Sequence, residues 1–244
     1  MIDLKKVEER KTSIINLKKD KGISNQKAQV VLCLDYSYSM NNLYNNGTVQ
    51  RTLERILPLG LAFDDNNEVD FYIFENGFNK LPENVTLDNI DNYINTKVLA
   101  NYSMGGTNYA PVINQIVEDF LPTKTVTKKK LFRTVTETIP SDEPLDLPVY
   151  VLFITDGDNS DHAETELAIR NASNYGIFFQ FVGIGNAKLN FLEKLDNLTG
   201  RVIDNANFFT INDLDGCTDD KLYKLLMNEF PDWLTLAKNH NQIK

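Results

Sequence analysis

The chain has 244 residues, 42% of them hydrophobic, enough for one large α/β domain with its own core and too apolar for disorder throughout. Its 34 acidic residues outnumber 25 basic ones, and the net charge of -9 excludes a protein built to coat nucleic acid. Two cysteines, Cys33 and Cys217, without a CxxC spacing exclude a zinc ribbon and a disulfide framework.

Residues 1–25 are Lys/Glu-rich with scattered Leu, Val and Ile, and read as an N-terminal leader or a loosely amphipathic helix ahead of a domain spanning 26–244. The opening MIDLKKVEERK is followed by no signal-peptide core, and no apolar run reaches the ~20 residues of a membrane span. A soluble cytoplasmic protein is therefore expected. Ala28–Leu34 (AQVVLCL) is a near-continuous β-branched run, as in a strand covered on both faces, with Cys33 a buried thiol inside it. Thr48–Phe63 places Val49, Leu53, Ile56 and Leu57 at helical spacing, with Pro58 and Gly60 set to perturb its second half. Val69–Phe74 (VDFYIF) reads as a strand and Thr107–Phe120 as a helix.

Residues 122–148 are basic, then Thr-rich, then acidic and Pro-rich. They exceed an ordinary connection and read as an insertion, either a hairpin around LFRTVTETI or a mobile loop. Val149–Ile154 (VYVLFI) is the strongest buried strand. Ala163–Tyr175 is a helix stopped by Gly176. Ile177–Val182 is a strand, with Phe178, Phe179 and Phe181 in the core. Ala187–Leu198 is a short helix, Phe208–Ile211 an edge strand, and Asp219–Lys238 a closing helix with a kink or boundary at Pro231. This alternation calls for a doubly wound α/β fold, with a mostly parallel central sheet and helices on both faces.

In such sheets ligands bind beyond the carboxyl ends of the strands. Three clusters of short oxygen-bearing side chains fall there: Asp35, Ser37 and Ser39 in DYSYS; Gly105, Gly106, Thr107 and Asn108 in GGTN; and Thr155, Asp156 and Asp158 in TDGD. Together they offer carboxylates and hydroxyls to one point, an inventory suited to a hard divalent cation such as Mg²⁺, which takes about six oxygens. Alternation along an extended loop turns Asp35, Ser37 and Ser39 to the same side. Gly105 and Gly106 let the backbone pass close to the ion. No cysteine lies in these clusters and the only nearby histidine is His162, which disfavours zinc.

DYSYS resembles the D-x-S-x-S signature of von Willebrand factor A (vWA) domains, and GGTN and TDGD follow in that family's order. The stretches MNNLYNNGTVQ, LPLGLAFDDNNEVDFYIF and FVGIGNAKLNFLEKLDNLTGRVIDNANFF are similar to the vWA domain of bacterial tellurium-resistance (Ter) proteins of the TerF-like kind. The resemblance covers roughly residues 23–235; the 122–148 segment lies outside its pattern. It implies a metal-ion-dependent adhesion site (MIDAS). In it Ser37, Ser39 and Thr107 contact the ion directly, Asp35 and Asp156 do so directly or through water, and one position stays open for an acidic residue of a protein partner. Mg²⁺ is the expected ion, with Mn²⁺ or Ca²⁺ as alternatives. The setting it implies is a stress response to tellurite or other toxic anions.

Other readings of these residues exist. Asp35 after a strand would suit the nucleophile of a metal-dependent phosphohydrolase, although Ser37 stands where that class carries a second acid. Thr107 sits where a helix N-cap would. Asp158 and Asp161 are expected to cap the helix that follows them. His162 and His240 are expected at the surface. Tyr36 and Tyr38, out of phase with the serines, should point away from the ion, either beneath the loop or towards a partner.

Overall fold

The computed structural model describes residues 2–63, 68–130, 133–141, 143–185, 189–213 and 215–244. Helix α1 (Leu4–Asp20) opens on Asp3, whose carboxylate accepts from the Lys5 and Lys6 N–H groups. Its Val7 and Ile14 are buried, and Lys18 Nζ donates to the Gln26 and Ala62 carbonyls at 2.8 and 2.7 Å, so this helix packs on the fold rather than standing in solvent. Strand β1 (Gln29–Asp35) leads through a 3-10 turn at Tyr38–Met40 and the short α2 (Asn41–Asn45) into α3 (Thr48–Phe63). Pro58 does not break α3. The Glu54 carbonyl that its missing N–H leaves unpaired accepts instead from Arg10 Nη1 at 3.2 Å. Gly60 admits the neighbouring chain, since a Cβ there would lie 2.4 Å from Val69 Cγ2.

Strand β2 (Asp70–Phe74) turns back through 75–77 into the three-residue β3 (Phe78–Lys80), which carried no signal in the sequence. A π-helical segment (Ile94–Leu99) precedes α4 (Ala110–Phe120). The insertion forms an antiparallel hairpin of β4 (Thr123–Lys130) and β5 (Arg133–Pro140) that pairs with no strand of the main sheet. Leu131 and Phe132 of the expected hairpin lie outside the described residues. Then follow β6 (Val149–Thr155), α5 (His162–Ala172), β7 (Ile177–Ile184), α6 (Asn190–Asp196) and β8 (Ala206–Ile211). The expected start of α6 at 187–188 also lies outside the described residues. The single closing helix is in fact two, α7 (Asp219–Leu226) and α8 (Phe230–Asn239). Pro231 sits in the first turn of α8, where a missing N–H is no loss, so it opens a helix instead of kinking one.

The main sheet runs β3-β2-β1-β6-β7-β8, with only β3 antiparallel. Alternation along β1 sorts its side chains between two cores. Val30, Leu32 and Leu34 meet α1, α3, α7 and α8, while Val31 and Cys33 meet α4, α5 and α6. Both faces being covered explains why β6 and β7 are buried at every position. Among the described residues no helix is long and apolar enough to cross a membrane.

Candidate functional site

Two parallel neighbours, β1 and β6, end side by side and deliver Asp35 and Thr155 to the carboxyl edge of the sheet. Asp35 is fully buried. Its Oδ1 accepts the Ser37 N–H at 2.8 Å, closing a turn on its own backbone, and its Oδ2 accepts from Thr155 Oγ1 at 2.6 Å. Beyond it the Ser37 and Ser39 hydroxyls lie 2.9 Å apart, and Ser39 Oγ donates to Asp156 Oδ1 at 2.7 Å. One directed chain therefore links Ser37, Ser39 and Asp156, residues from two loops more than a hundred positions apart.

The GGTN loop joins through its backbone. Ser37 bridges to Gly105, with the Tyr38 N–H donating to the Gly105 carbonyl at 3.1 Å. The half-buried Thr107 presents its carbonyl to the Ser160 N–H at 2.9 Å, which ties this loop to the one after β6. The two glycines lie against the 75–77 turn. Added Cβ atoms would meet that turn: Asn76 Oδ1 at 2.4 Å from Gly106, and Glu75 Oε2 at 2.8 Å from Gly105. Their smallness serves loop-to-loop packing.

Thr107 is not the cap of α4 either, since that helix starts at Ala110. Asp161 caps it, accepting from the Tyr109 and Ala110 N–H groups at 2.9 and 2.8 Å. Asp161 does stand at the N-cap position of its own following helix, where its carbonyl accepts the Thr165 N–H at 2.9 Å, but its carboxylate is turned to the free N–H groups of α4. Asp158 Oδ1 instead meets His162 Nε2 at 2.9 Å. That half-exposed imidazole also stacks on Phe191, with ring centroids 3.9 Å apart. Residues absent from the expected set complete the frame: Thr155 on Asp35, and Tyr109, whose hydroxyl donates to the Gly157 carbonyl at 2.6 Å. Thr155 lay inside the quoted TDGD cluster, whereas nothing local marked Tyr109. The two loop tyrosines part company. Tyr36 is buried and donates to the Tyr102 carbonyl at 3.1 Å, while Tyr38 is 73% exposed beside the two serines.

Burial raises the Asp35 carboxyl from 3.8 to about 6. The bonds from Thr155 and Ser37 oppose that rise, and the nearby Asp156 charge adds to it. Asp156 is likewise raised by burial against the pull of Ser39. Neither acid forms an ion pair with Lys, Arg or His among the described residues. Two carboxylates joined through the Ser37 N–H and the Ser37 and Ser39 hydroxyls, with no counter-charge among the described residues, fit a cation supplied from outside. No group of three or more His, Cys, Asp or Glu side chains is placed to hold a metal among the described residues. Any ion here must therefore draw on hydroxyl and water oxygens as well as two acids, which is the donor set of a hard ion.

The family described as "vWA-TerF-like: vWA found in TerF C terminus" matches residues 27–243. The uncharacterized protein YcbR of Bacillus subtilis (strain 168) is 34% identical over 238 residues, covering 96% of this chain and 89% of that protein. Among solved structures, proximal thread matrix protein 1 from the mussel byssus superposes with a TM-score of 0.56 at 18% identity, over 83% of this chain and 47% of that one. The same byssus protein "with zinc occupied MIDAS motif" gives 0.53 at 17% identity, with the same coverages of 83% and 47%. The chain thus spans about half the length of the byssus structures it matches, and at this identity they share its fold.

Proposed function

This chain belongs to the vWA family, in the form found at the TerF C terminus, and on that premise we propose that it is a non-catalytic module that holds a divalent cation at the strand ends for a carboxylate of a protein partner. The observation that carries this reading is the convergence of Asp35 and Asp156, both raised by burial, with no cationic side chain among the described residues paired to either. Asp35, Ser37, Ser39, Thr107 and Asp156 are the residues that would hold the ion. Bound there, the ion supplies a Lewis-acidic position that an acidic side chain of the partner can complete. Oxygen donors alone favour Mg²⁺, then Mn²⁺ or Ca²⁺. One shared ion gives little affinity by itself, so contacts around it must contribute. The setting we assign, a bacterial response to tellurite or other toxic anions, is supported only by the likeness to TerF.

The phosphohydrolase reading gains nothing from the geometry. Both Asp35 oxygens are occupied by hydrogen bonds and the side chain is fully buried, which is a poor station for a nucleophile and leaves Asp35 to hold an ion through water rather than directly. Titrating MgCl₂ into wild type and Asp35→Ala while following thermal melting tests the binding reading. Saturating ion should raise the wild-type Tm by about 5–10 °C, from ~2.7 kcal/mol at a hundredfold excess over Kd, and leave Asp35→Ala unmoved. A flat response in both proteins overturns it. Affinity purification with and without EDTA then identifies the partner by its loss in chelator.

A further inference from the structure

Two consecutive residues, Ser160 and Asp161, grip both ends of the segment 107–110. The Ser160 N–H donates to the Thr107 carbonyl at 2.9 Å, and the Asp161 carboxylate accepts from the Tyr109 and Ala110 N–H groups at 2.9 and 2.8 Å. Helix α4 brings no side-chain cap of its own, since Tyr109 stands before it and makes no capping bond. Its unpaired N–H groups and the positive end of its dipole are met instead by a carboxylate 51 positions further along the chain.

That carboxylate is aimed from its own side. Asn159 Nδ2 donates to Asp161 Oδ1 at 2.7 Å and to Thr165 Oγ1 at 3.0 Å, and both Asn159 and Thr165 are buried. The Asp161 carbonyl meanwhile accepts the Thr165 N–H at 2.9 Å. The backbone of Asp161 thus belongs to α5 and its side chain to α4. A residue placed to steady the helix it begins would turn its carboxylate the other way, and α5 is left without a side-chain cap.

The consequence falls on the cation site. Thr107 stands at one end of the gripped segment, and Asp156 lies four positions before Ser160 in the loop that grips it. The Tyr109 hydroxyl, donating to the Gly157 carbonyl at 2.6 Å, ties the same two loops a third time. The DYSYS loop joins through separate contacts, Ser39 on Asp156 and Tyr38 on Gly105. We propose that Asp161 is a positioning residue of the cation site, which fixes Thr107 against the Asp156 loop by holding the start of α4. The inference rests on the cation reading above. Both Asp161 oxygens are taken by N–H groups, so its part is to order the GGTN loop before an ion arrives.

Two measurements on the full chain test this. Free Mn²⁺ counted by electron paramagnetic resonance during a titration gives Kd, and amide hydrogen exchange in EDTA reads the loop with no metal present. Asp161→Ala should bind Mn²⁺ about tenfold more weakly than wild type. In EDTA its exchange should quicken about fivefold at Tyr109 and Ala110, and also at Ser160, whose own acceptor is untouched. Asp161→Asn keeps one acceptor oxygen and should fall between the two, which carries the test if the alanine variant folds poorly. Thr218→Ala removes the side-chain cap of α7, on the other face of the sheet, and should lower stability with Kd unchanged. An equal Kd in wild type and a folded Asp161 variant, exchange that quickens at Tyr109 and Ala110 alone, or equal weakening by Thr218→Ala would each overturn the proposal and leave the cation reading standing. A wild type that takes up no Mn²⁺ overturns both.

Discussion

Two acid clusters of this molecule meet opposite fates. At the carboxyl edge of the sheet, Asp35 and Asp156 share their surroundings with hydroxyls and each other, and both carboxyls are raised by burial. In a cleft of 560 Å³ between α1, α3 and the start of α7, Asp219 accepts from Arg10 Nε at 2.8 Å and from Arg55 Nε at 2.7 Å. Burial pushes Asp219 up as well, but the Arg10 bond and the charges of Arg10 and Arg55 outweigh it and hold it below its ordinary value. Asp215 is lowered by the hydrogen bond from Arg51. Burial alone therefore does not decide how an acid titrates; the fold's own supply of counter-charge does. The second cluster is neutralised from within. The first has no cationic side chain paired to it among the described residues.

The sharpest break of this contrast is Asp219→Ala. It removes the carboxylate that Arg10 Nε and Arg55 Nε share, on side chains only 10% and 9% exposed, so stability should fall by about 2–4 kcal/mol, with a Tm roughly 5–15 °C lower. Chemical denaturation measures it, and a loss below about 1 kcal/mol would mean the arginines find other partners.

Next in size is a pH profile. The folded Asp35 carboxyl, raised from 3.8 to about 6, contributes stability that is fully present below 3.8 and lost as pH rises through about 6. Asp219 runs the other way. Its lowered value contributes stability present above the ordinary value of 3.8 and lost as pH falls below it. Comparing Asp35→Asn with wild type isolates the first effect. In EDTA the variant should gain on wild type by about 2–3 kcal/mol between pH 4 and pH 7, and saturating Mg²⁺ should shrink the gap by favouring ionised Asp35. A difference independent of pH would show that burial of Asp35 carries no such penalty.

The smallest effect is expected at Asp215→Asn. Arg51 and Asp215 are 47% and 45% exposed, so their pair is worth less than about 1 kcal/mol and should fade in high salt. Melts at low and high NaCl check this.

The covered strands were legible because continuous β-branched and aromatic runs such as VYVLFI leave no polar side for water. The three oxygen-bearing clusters were legible as strand-end loops, and the fold does bond Ser39 to Asp156 and pair Ser37 with Gly105. What escaped has a common cause. The Asp161 carboxylate bonds the N–H groups of α4 although the residue precedes α5, Gly105 and Gly106 pack against Glu75 and Asn76, and the Glu54 carbonyl freed by Pro58 is satisfied by Arg10. Each of these depends on a neighbour distant along the chain. The three residues of β3 were too few to show a period.

By itself, then, the sequence determined the alternation of strands and helices and set short oxygen side chains at the strand ends, because hydrophobic period and turn chemistry are local properties. Only the tertiary structure decided which acids keep an arginine and which keep none, which of the two loop tyrosines meets solvent, and at which edge of the sheet the basic hairpin emerges. Those outcomes depend on what lies across space, and a hydrogen bond or an ion pair acts over a few ångströms whatever the separation along the chain.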